Sequence, residues 1–116
     1  MRDGMIEQAD GTRVWYRGGK IHRDDGPAVE RANGAREWFD NGERHRVGGP
    51  AVEHADGTRR WFDNGMLHRD DGPAIEHADG TPRWWRDGIE LTLEEFLLDV
   101  SHEDQIKLAT YMEKDT

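Results

Sequence analysis

The feature that most constrains the fold is a strict repeat of 23 residues. Trp15, Trp38, Trp61 and Trp84 keep this spacing, and so do the glycines four residues after each tryptophan. A fixed period without insertions indicates one supersecondary unit stacked on itself, in which each copy buries its apolar face against a neighbour. The motif continues with a His-Arg pair and a Gly-Pro-Ala step, and its fixed positions include His22, His45, His68, Pro27, Pro50 and Pro73.

Two turn sequences in each period predict that the unit is a β-hairpin. The first turn is Asp-Gly or Asn-Gly, as at 56–57, and the second is Asp-Asn-Gly, as at 63–65. Both tolerate the positive φ angles of tight hairpins, and strands such as 58–62 and 66–69 are expected between them. We therefore predict a mainly β fold over residues 1–91, an antiparallel meander of about four hairpin repeats.

The Gly-Pro step is expected to interrupt the second strand of each hairpin, because proline cannot donate to a strand ladder. The tryptophans should form a ladder on one face of the sheet. Their indoles would lie about 9–10 Å apart, which is two strand spacings. We expect aliphatic and aromatic side chains to fill the space between them, namely Ile6, Val29, Val52, Ile75, Tyr16, Phe39, Phe62 and Trp85.

The period stops after residue 91, and the remaining segment, 92–116, predicts an acidic α-helical cap on the same domain. Thr92 and Glu95 have the spacing of a capping box, and Ser101 opens a second predicted helix. The cap is expected to cover the last hairpin, because an exposed sheet edge templates aggregation. Residues 90–116 hold eight acidic residues against two lysines.

Charge and composition argue against several classes of function. The formal net charge is −9, so direct binding to nucleic acid is not expected, because it needs clustered cations. The chain has no cysteine, which fits a reducing cytoplasm and excludes disulfide and thiol chemistry. No apolar run reaches the roughly 18 residues of a membrane span, and the charged N-terminus is unlike a signal peptide. We expect a cytoplasmic protein that binds no membrane.

The motif W-x-x-[ND]-G-x-x-H-R-x-x-G-P-A-x-E, over residues 5–98, resembles the MORN family of hairpin repeats. It is more similar to divergent repeats of bacteriophages and large DNA viruses, built on H-R-x-D-G-P-A and often ending in an acidic L-T-x-E-E-F-L helix. MORN repeats have glycine where this chain has Arg23, Arg46 and Arg69, so their suggested lipid binding is not transferred. The resemblance implies no catalytic residue and scaffold roles for Gly42, Gly65, His45, His68, Pro50 and Pro73.

The repeated His-Arg-Asp and Asp-Asp sequences favour a structural role over a chemical one. His22-Arg23-Asp24 matches the start of a kinase catalytic loop, but the chain has no other kinase motif. Equivalent histidines should lie about 9–10 Å apart, too far to share a metal ion. The pair Asp70-Asp71 offers two carboxylates, where calcium wants six or more oxygens. We expect no metal or cofactor, and arginines that pair with the Asp of their own turn or lie on a Trp ring.

The predicted function is non-enzymatic binding of another protein. Small size, acidity and the resemblance to viral repeats suggest a phage counter-defence inhibitor, anti-CRISPR-like, that blocks a host nucleic-acid-binding or nuclease complex. Acidic DNA mimicry is one mechanism for it. Repeat two places an apolar residue in an otherwise charged row, which is either a neutral departure from the repeat or a place for a partner to dock. The candidate contacts are Glu94, Glu95, Asp99, Glu103, Asp104, Arg46 and Val47.

Two alternatives to this function stay open. One is a ligand-binding module, for instance for a nucleotide signal, that uses the Arg and Trp side chains along the repeat row. The other is a purely structural repeat protein. In addition, the edge strand at residues 5–9 is a candidate for pairing with a second copy across a two-fold axis.

Overall fold

In a computed structural model of the protein, which describes residues 3–98, the chain forms hairpins that follow one another in sequence. This confirms the predicted mainly β, antiparallel meander with a short helix at its C-terminal end. Within the described range the elements are β1 (Gly4–Glu7), β2 (Arg13–Arg17), β3 (Lys20–Ile21), β4 (Val29–Glu30), β5 (Arg36–Glu37), β6 (Phe39–Asp40), β7 (Glu43–Arg44), β8 (Val52–Glu53), β9 (Arg59–Arg60), β10 (Phe62–Asp63), β11 (Met66–Leu67), β12 (Ile75–Glu76), β13 (Pro82–Arg86), β14 (Ile89–Leu91) and α1 (Leu93–Leu97).

Ten strands of residues 3–98 form one main antiparallel sheet, in the order β1-β2-β4-β5-β8-β9-β12-β13-β14, with β3 paired to β2. The strands β6 and β7, and likewise β10 and β11, form separate two-stranded hairpins. Each side hairpin leaves the main sheet at a tryptophan. The Trp38 N–H donates to the Ala51 carbonyl at 2.7 Å, whereas the Trp38 carbonyl accepts from the His45 N–H at 3.1 Å.

The sequence predicts one continuous strand over 58–62, but the structure divides it at Trp61 into β9 and β10. The reason is the loop that follows in the partner strand. Residues 68–73 lie between β11, which pairs with β10, and β12, which pairs with β9. Residues 45–50 separate β7 from β8 in the same way in repeat two. The predicted interruption at Gly-Pro is therefore a wide loop, and it makes the two halves of the neighbouring strand pair with different segments.

One face of the main sheet carries charges of alternating sign. Directly opposed residues on neighbouring strands share a face. Ion pairs join Arg13 to Glu7 at 3.2 Å and Arg36 to Glu53 at 2.6 Å. A slip of one residue would destroy this order, so the ladder specifies the register of the sheet. Its members, in order across the strands, are Glu7, Arg13, Glu30, Arg36, Glu53, Arg59 and Glu76.

The opposite face carries the buried aliphatic side chains. Val14, Val29, Val52 and Ile75 are each 5–6% exposed. The expectation that Ile6, Val29, Val52 and Ile75 fill the space between the tryptophans was wrong. They share a face with Val14, whereas Val14 and Trp15, as neighbours along a strand, point to opposite faces. The paired residues that share this face are, in order, Ile6, Val14, Val29, Glu37, Val52, Arg60, Ile75 and Arg83.

Arginine, and not an aliphatic residue, covers the tryptophan rings. The guanidinium carbon lies 3.9 Å from the ring centroid for Arg69 over Trp61, and the pairs of Arg23 with Trp15 and Arg46 with Trp38 are equivalent. This confirms the expected stacking of arginine on tryptophan. A cation over an indole contributes roughly 0.5–2 kcal/mol, depending on how far it is removed from water.

Hydrogen bonds help to hold each stacked arginine in place, and Arg69 makes three of them. The Arg69 guanidinium donates to the Asp71 carboxylate at 2.9 Å, as expected, and to the Pro73 carbonyl at 3.1 Å. It also donates to the Glu76 carboxylate at 3.0 Å. The side chain passes so close to Gly72 that a Cβ there would lie 2.7 Å from the Arg69 Cζ. The stacked arginine thus disfavours a side chain at the glycine of each Gly-Pro step, most strongly at Gly72.

The helix α1 closes the sheet at the fourth repeat. The predicted capping box is confirmed, since the Glu95 N–H donates to the Thr92 hydroxyl and the Thr92 N–H donates to the Glu95 carboxylate. Phe96 is fully buried, with its ring 4.8 Å from that of Trp84. On this last tryptophan, phenylalanine thus takes the place that arginine holds in the other repeats. The second helix predicted from Ser101 lies outside the described residues.

The Asp-Gly turns are closed by carboxylates. Asp10, Asp56 and Asp79 each accept a hydrogen bond at 2.9 Å from the backbone N–H two residues on. These bonds, made to the charged form, lower the pKa of each carboxyl below its ordinary value of 3.8. In repeat two Asn33 makes the same contact to the Ala35 N–H, at 3.0 Å and without a charge.

We expect stability to fall in acid because of these turns. A carboxyl with a lowered folded-state pKa stabilises the fold above its ordinary value, and this contribution is lost as the pH falls through the folded-state pKa. The triple variant Asp10→Asn, Asp56→Asn, Asp79→Asn keeps the turn contact, as Asn33 does. Its melting temperature should therefore drop less than that of the parent between about pH 6 and about pH 3. Equal drops would show that these carboxylates do not contribute.

Candidate functional site

Three loops of equivalent sequence, residues 22–27, 45–50 and 68–73, line two neighbouring grooves. We call these loops the loop row. The first groove, of about 650 Å³, lies between the first two loops, and the second, of about 700 Å³, lies between the last two. The central loop borders both grooves. Its residues His45, Arg46 and Val47 line both of them.

Each loop begins with a histidine that holds the turn of the following repeat. The Asn41 N–H donates to the Nδ1 atom of His22 at 3.0 Å, and the Asn64 N–H donates to the Nδ1 atom of His45 at 3.2 Å. The asparagines have φ angles of 48° and 49°, the left-handed conformation of the turn. His68 accepts the same bond from Asp87. The histidines therefore connect adjacent repeats, and their Nδ1 atoms accept when the ring is neutral.

The other ring nitrogen distinguishes the central loop from its neighbours. The Nε2 atom of His22 lies 2.7 Å from an oxygen of Asp24, and that of His68 lies 3.0 Å from Asp70. The hydrogen bond from His22 lowers the pKa of Asp24 below its ordinary value. In the central loop, Val47 occupies the position of these aspartates. His45 therefore lacks this carboxylate, and an apolar side chain stands in its place.

The loop row presents carboxylates outward and keeps its cations inward. The side chains of Asp25 and Asp71 are 84% and 72% exposed, whereas those of Arg23 and Arg69 are 24% and 19% exposed. Val47, between the acidic loops, is 89% exposed. A partner would thus meet negative charge on both sides of one apolar contact. Such a pattern suits a basic surface with an apolar residue at its centre.

The structure places the predicted partner contacts in two separate regions. Val47 and Arg46 lie in the central loop, but the Arg46 guanidinium stacks on Trp38 and donates to the Pro50 carbonyl. Glu94 and Glu95 lie in the first turn of α1, where Glu95 forms the capping box. The remaining predicted contacts, Asp99, Glu103 and Asp104, lie outside the described residues.

The exposed aspartates of the outer loops were missed as contacts by the sequence analysis. The sequence does contain a signal for them, because each Arg-Asp-Asp sequence has two aspartates for one arginine. In the structure the arginine bonds only one of the two. The Nε atom of Arg23 donates to Asp25 at 2.9 Å, and Asp24 is bonded by His22. Asp24 also accepts from Arg17 at 3.4 Å. Both aspartate side chains nevertheless stay exposed to solvent, at 79% and 84%.

The Arg and Trp side chains proposed for a nucleotide ligand are occupied by one another. Arg23, Arg46 and Arg69 each stack on a tryptophan and donate to a proline carbonyl. Within residues 3–98 no three histidine or carboxylate side chains are grouped so as to hold a metal ion. In the same range no helix is long and apolar enough to cross a membrane.

The strand β1, which contains most of the segment proposed to pair with a second copy, lies at one end of the main sheet and pairs only with β2 within the described part of the chain. Its exposed side chains include Met5, which is 48% exposed. Pairing with a second copy there stays a prediction. No protein-family model, no curated protein and no solved structure matches this chain.

Proposed function

We propose that the protein is a non-enzymatic binding module that docks a basic protein surface onto the loop row. The observation that carries this proposal is Val47, which is 89% exposed between two loops that present acidic side chains. An apolar contact surrounded by a polar rim is the arrangement found in protein interfaces. The stacked arginines of the loop row are engaged with tryptophan rings and proline carbonyls, so their charge faces inward and does not repel a basic partner.

A nucleic-acid-binding protein is the partner class that this charge pattern favours, because such proteins present clustered lysine and arginine side chains. Steering by the acidic loops would speed association at low salt, and the apolar contact would slow dissociation. Inhibition of a host nuclease complex by a viral protein is the finer proposal. It is supported by the resemblance of the repeats to viral ones, and by no contact in the fold.

The Val47→Ser variant is expected to bind its partner about tenfold more weakly, because burying a valine side chain contributes roughly 1–2 kcal/mol. The partner is first identified by affinity capture from the host and then purified, and its affinity is measured by calorimetry. Ile89→Ser is the matched control, since Ile89 is exposed but lies in β14, outside the loop row. Equal affinities of the Val47→Ser variant and the parent protein would exclude the loop row as the apolar contact.

Charge is tested with the double variant Asp25→Asn, Asp71→Asn against Glu94→Gln on the helix. The asparagines keep an acceptor for the neighbouring arginines and remove two exposed charges. We expect a slower association rate and a weaker salt dependence for the double variant only. If Glu94→Gln alone had these effects, the helical cap and not the loop row would be the docking surface, as acidic mimicry by the cap requires.

A further inference from the structure

A second, smaller cavity lies on the aliphatic face of the main sheet. Its volume is about 230 Å³, and its polar lining includes Arg31, Glu37, Arg44, His54 and Arg60. Glu37 and Arg60 are the register partners of Val52, from the two strands beside it. They therefore flank Val52 on one face and set the charge of the cavity.

The cavity carries an excess of positive charge. Glu37 is 3% exposed, and both of its oxygens are in use. The Oε2 atom accepts from Arg31 at 2.7 Å, and the Oε1 atom accepts from Arg44 at 2.9 Å. The cavity lining thus holds one carboxylate and three guanidinium groups, counting Arg60. The positive charge of the cavity is therefore not fully neutralised, although the whole chain has a net charge of −9.

Arg60 has no ion-pair partner among residues 3–98, and the repeat explains why. In the next repeat its equivalent, Arg83, donates to Glu90 at 2.6 Å. In the repeat that contains Arg60, the position equivalent to Glu90 is occupied by Leu67. Because leucine cannot pair with arginine, Arg60 lacks the counter-ion that Arg83 has, and its charge stays inside the cavity.

Two nitrogen atoms of residues that line this cavity are buried without a hydrogen bond in the described structure, and the His54 nitrogen is a donor when it carries the ring proton. They are the Nε atom of Arg60 and the Nε2 atom of His54. A buried donor without a partner is destabilising, and natural proteins rarely leave one unless a ligand or water satisfies it. The nearby carboxylate of Asp56 is held by its own turn, where it accepts from the Thr58 N–H at 2.9 Å.

We propose that this cavity binds a phosphoryl group, either as inorganic phosphate or as the phosphate of a nucleotide. The Arg60 Nε–H and the imidazole of His54 donate to its oxygens, and Arg31 and Arg44 supply the remaining positive charge. Guanidinium and imidazole groups are suited to phosphate because they offer directed, charge-assisted hydrogen bonds. The site lies on the opposite face of the sheet from the stacked tryptophans, so it is separate from the row of Arg-Trp pairs.

The test is thermal unfolding of the full chain at constant ionic strength with phosphate, adenosine monophosphate or adenosine. Phosphate and the nucleotide should raise the melting temperature, on the order of 5 °C at ten times the dissociation constant, and adenosine should not. A much stronger effect of the nucleotide than of phosphate would identify the nucleotide as the natural source. A shift with adenosine alone, or with none of the three, would overturn the proposal.

The Arg60→Gln variant should not show the increase in melting temperature with phosphate. Arg83→Gln is the matched control, because Arg83 is the equivalent residue with a carboxylate partner. The parent protein provides a second measurement that does not depend on folding of a variant. Phosphate should shift the NMR signals of the Arg60 Nε–H and the His54 ring, and leave those of Arg83 unchanged. Unchanged signals of Arg60 and His54 at saturating phosphate would contradict the site.

Discussion

The Phe96→Ala variant is expected to lose about 3–5 kcal/mol of unfolding free energy, a large share of the roughly 5–15 kcal/mol that is typical of a domain. Phe96 is fully buried, and it packs on Trp84 together with Leu91, Leu93 and Leu97. The guanidinium of Arg86 also lies 4.2 Å from its ring centroid. Removal of the ring leaves a cavity and exposes the last tryptophan of the ladder. Urea unfolding followed by tryptophan fluorescence measures the loss.

The matched control is Leu98→Ala, one residue beyond α1. Leu98 is 83% exposed, so its truncation should change the unfolding free energy by less than about 0.5 kcal/mol. Comparing the unfolding free energies of the two variants separates the contribution of cap packing from that of helix propensity. Similar small effects of the two substitutions would mean that the helix does not pack on Trp84 in solution.

The Gly72→Ala variant is expected to lose about 2 kcal/mol, because the new methyl group displaces Arg69 from its bonds and from Trp61. A Cβ at residue 72 would lie 2.7 Å from the Arg69 Cζ. The φ angle of Gly72 lies outside the left-handed region, so alanine fits its backbone and the contact with arginine is the cause. Urea unfolding gives the free energy, and near-ultraviolet circular dichroism reports the environment of the tryptophan.

Two comparisons test this cause. Gly26→Ala, in a loop of the same sequence, should cost less, because the corresponding distance to Arg23 is 3.2 Å. In an Arg69→Ala background, Gly72→Ala should be nearly neutral, since the clash no longer exists. If Gly72→Ala destabilised the protein equally with and without Arg69, the arginine would not be the reason for the glycine.

Much of the fold was predicted from the sequence because its signals are local. The Asp-Gly and Asn-Gly turns, the break at each Gly-Pro step and the capping box at Thr92 each depend on neighbouring residues, and the structure shows all of them. The candidate site was predicted less well. Val47 was recognised because it breaks a repeated pattern, whereas the inward arginines and outward aspartates depend on which atoms meet in three dimensions.

The sequence by itself determined the repeat unit, its turns and the start of its cap, since the period and the turn residues leave few other conformations. The tertiary structure decided which distant residues meet. The contact of Asn41 with His22 joins residues 19 positions apart, and the division of each central strand at its tryptophan follows from a loop in the neighbouring strand. The absence of an ion-pair partner for Arg60 among residues 3–98 likewise depends on the register in which the strands pair. Side chains on opposed strands become neighbours only after pairing, so no local pattern reveals them.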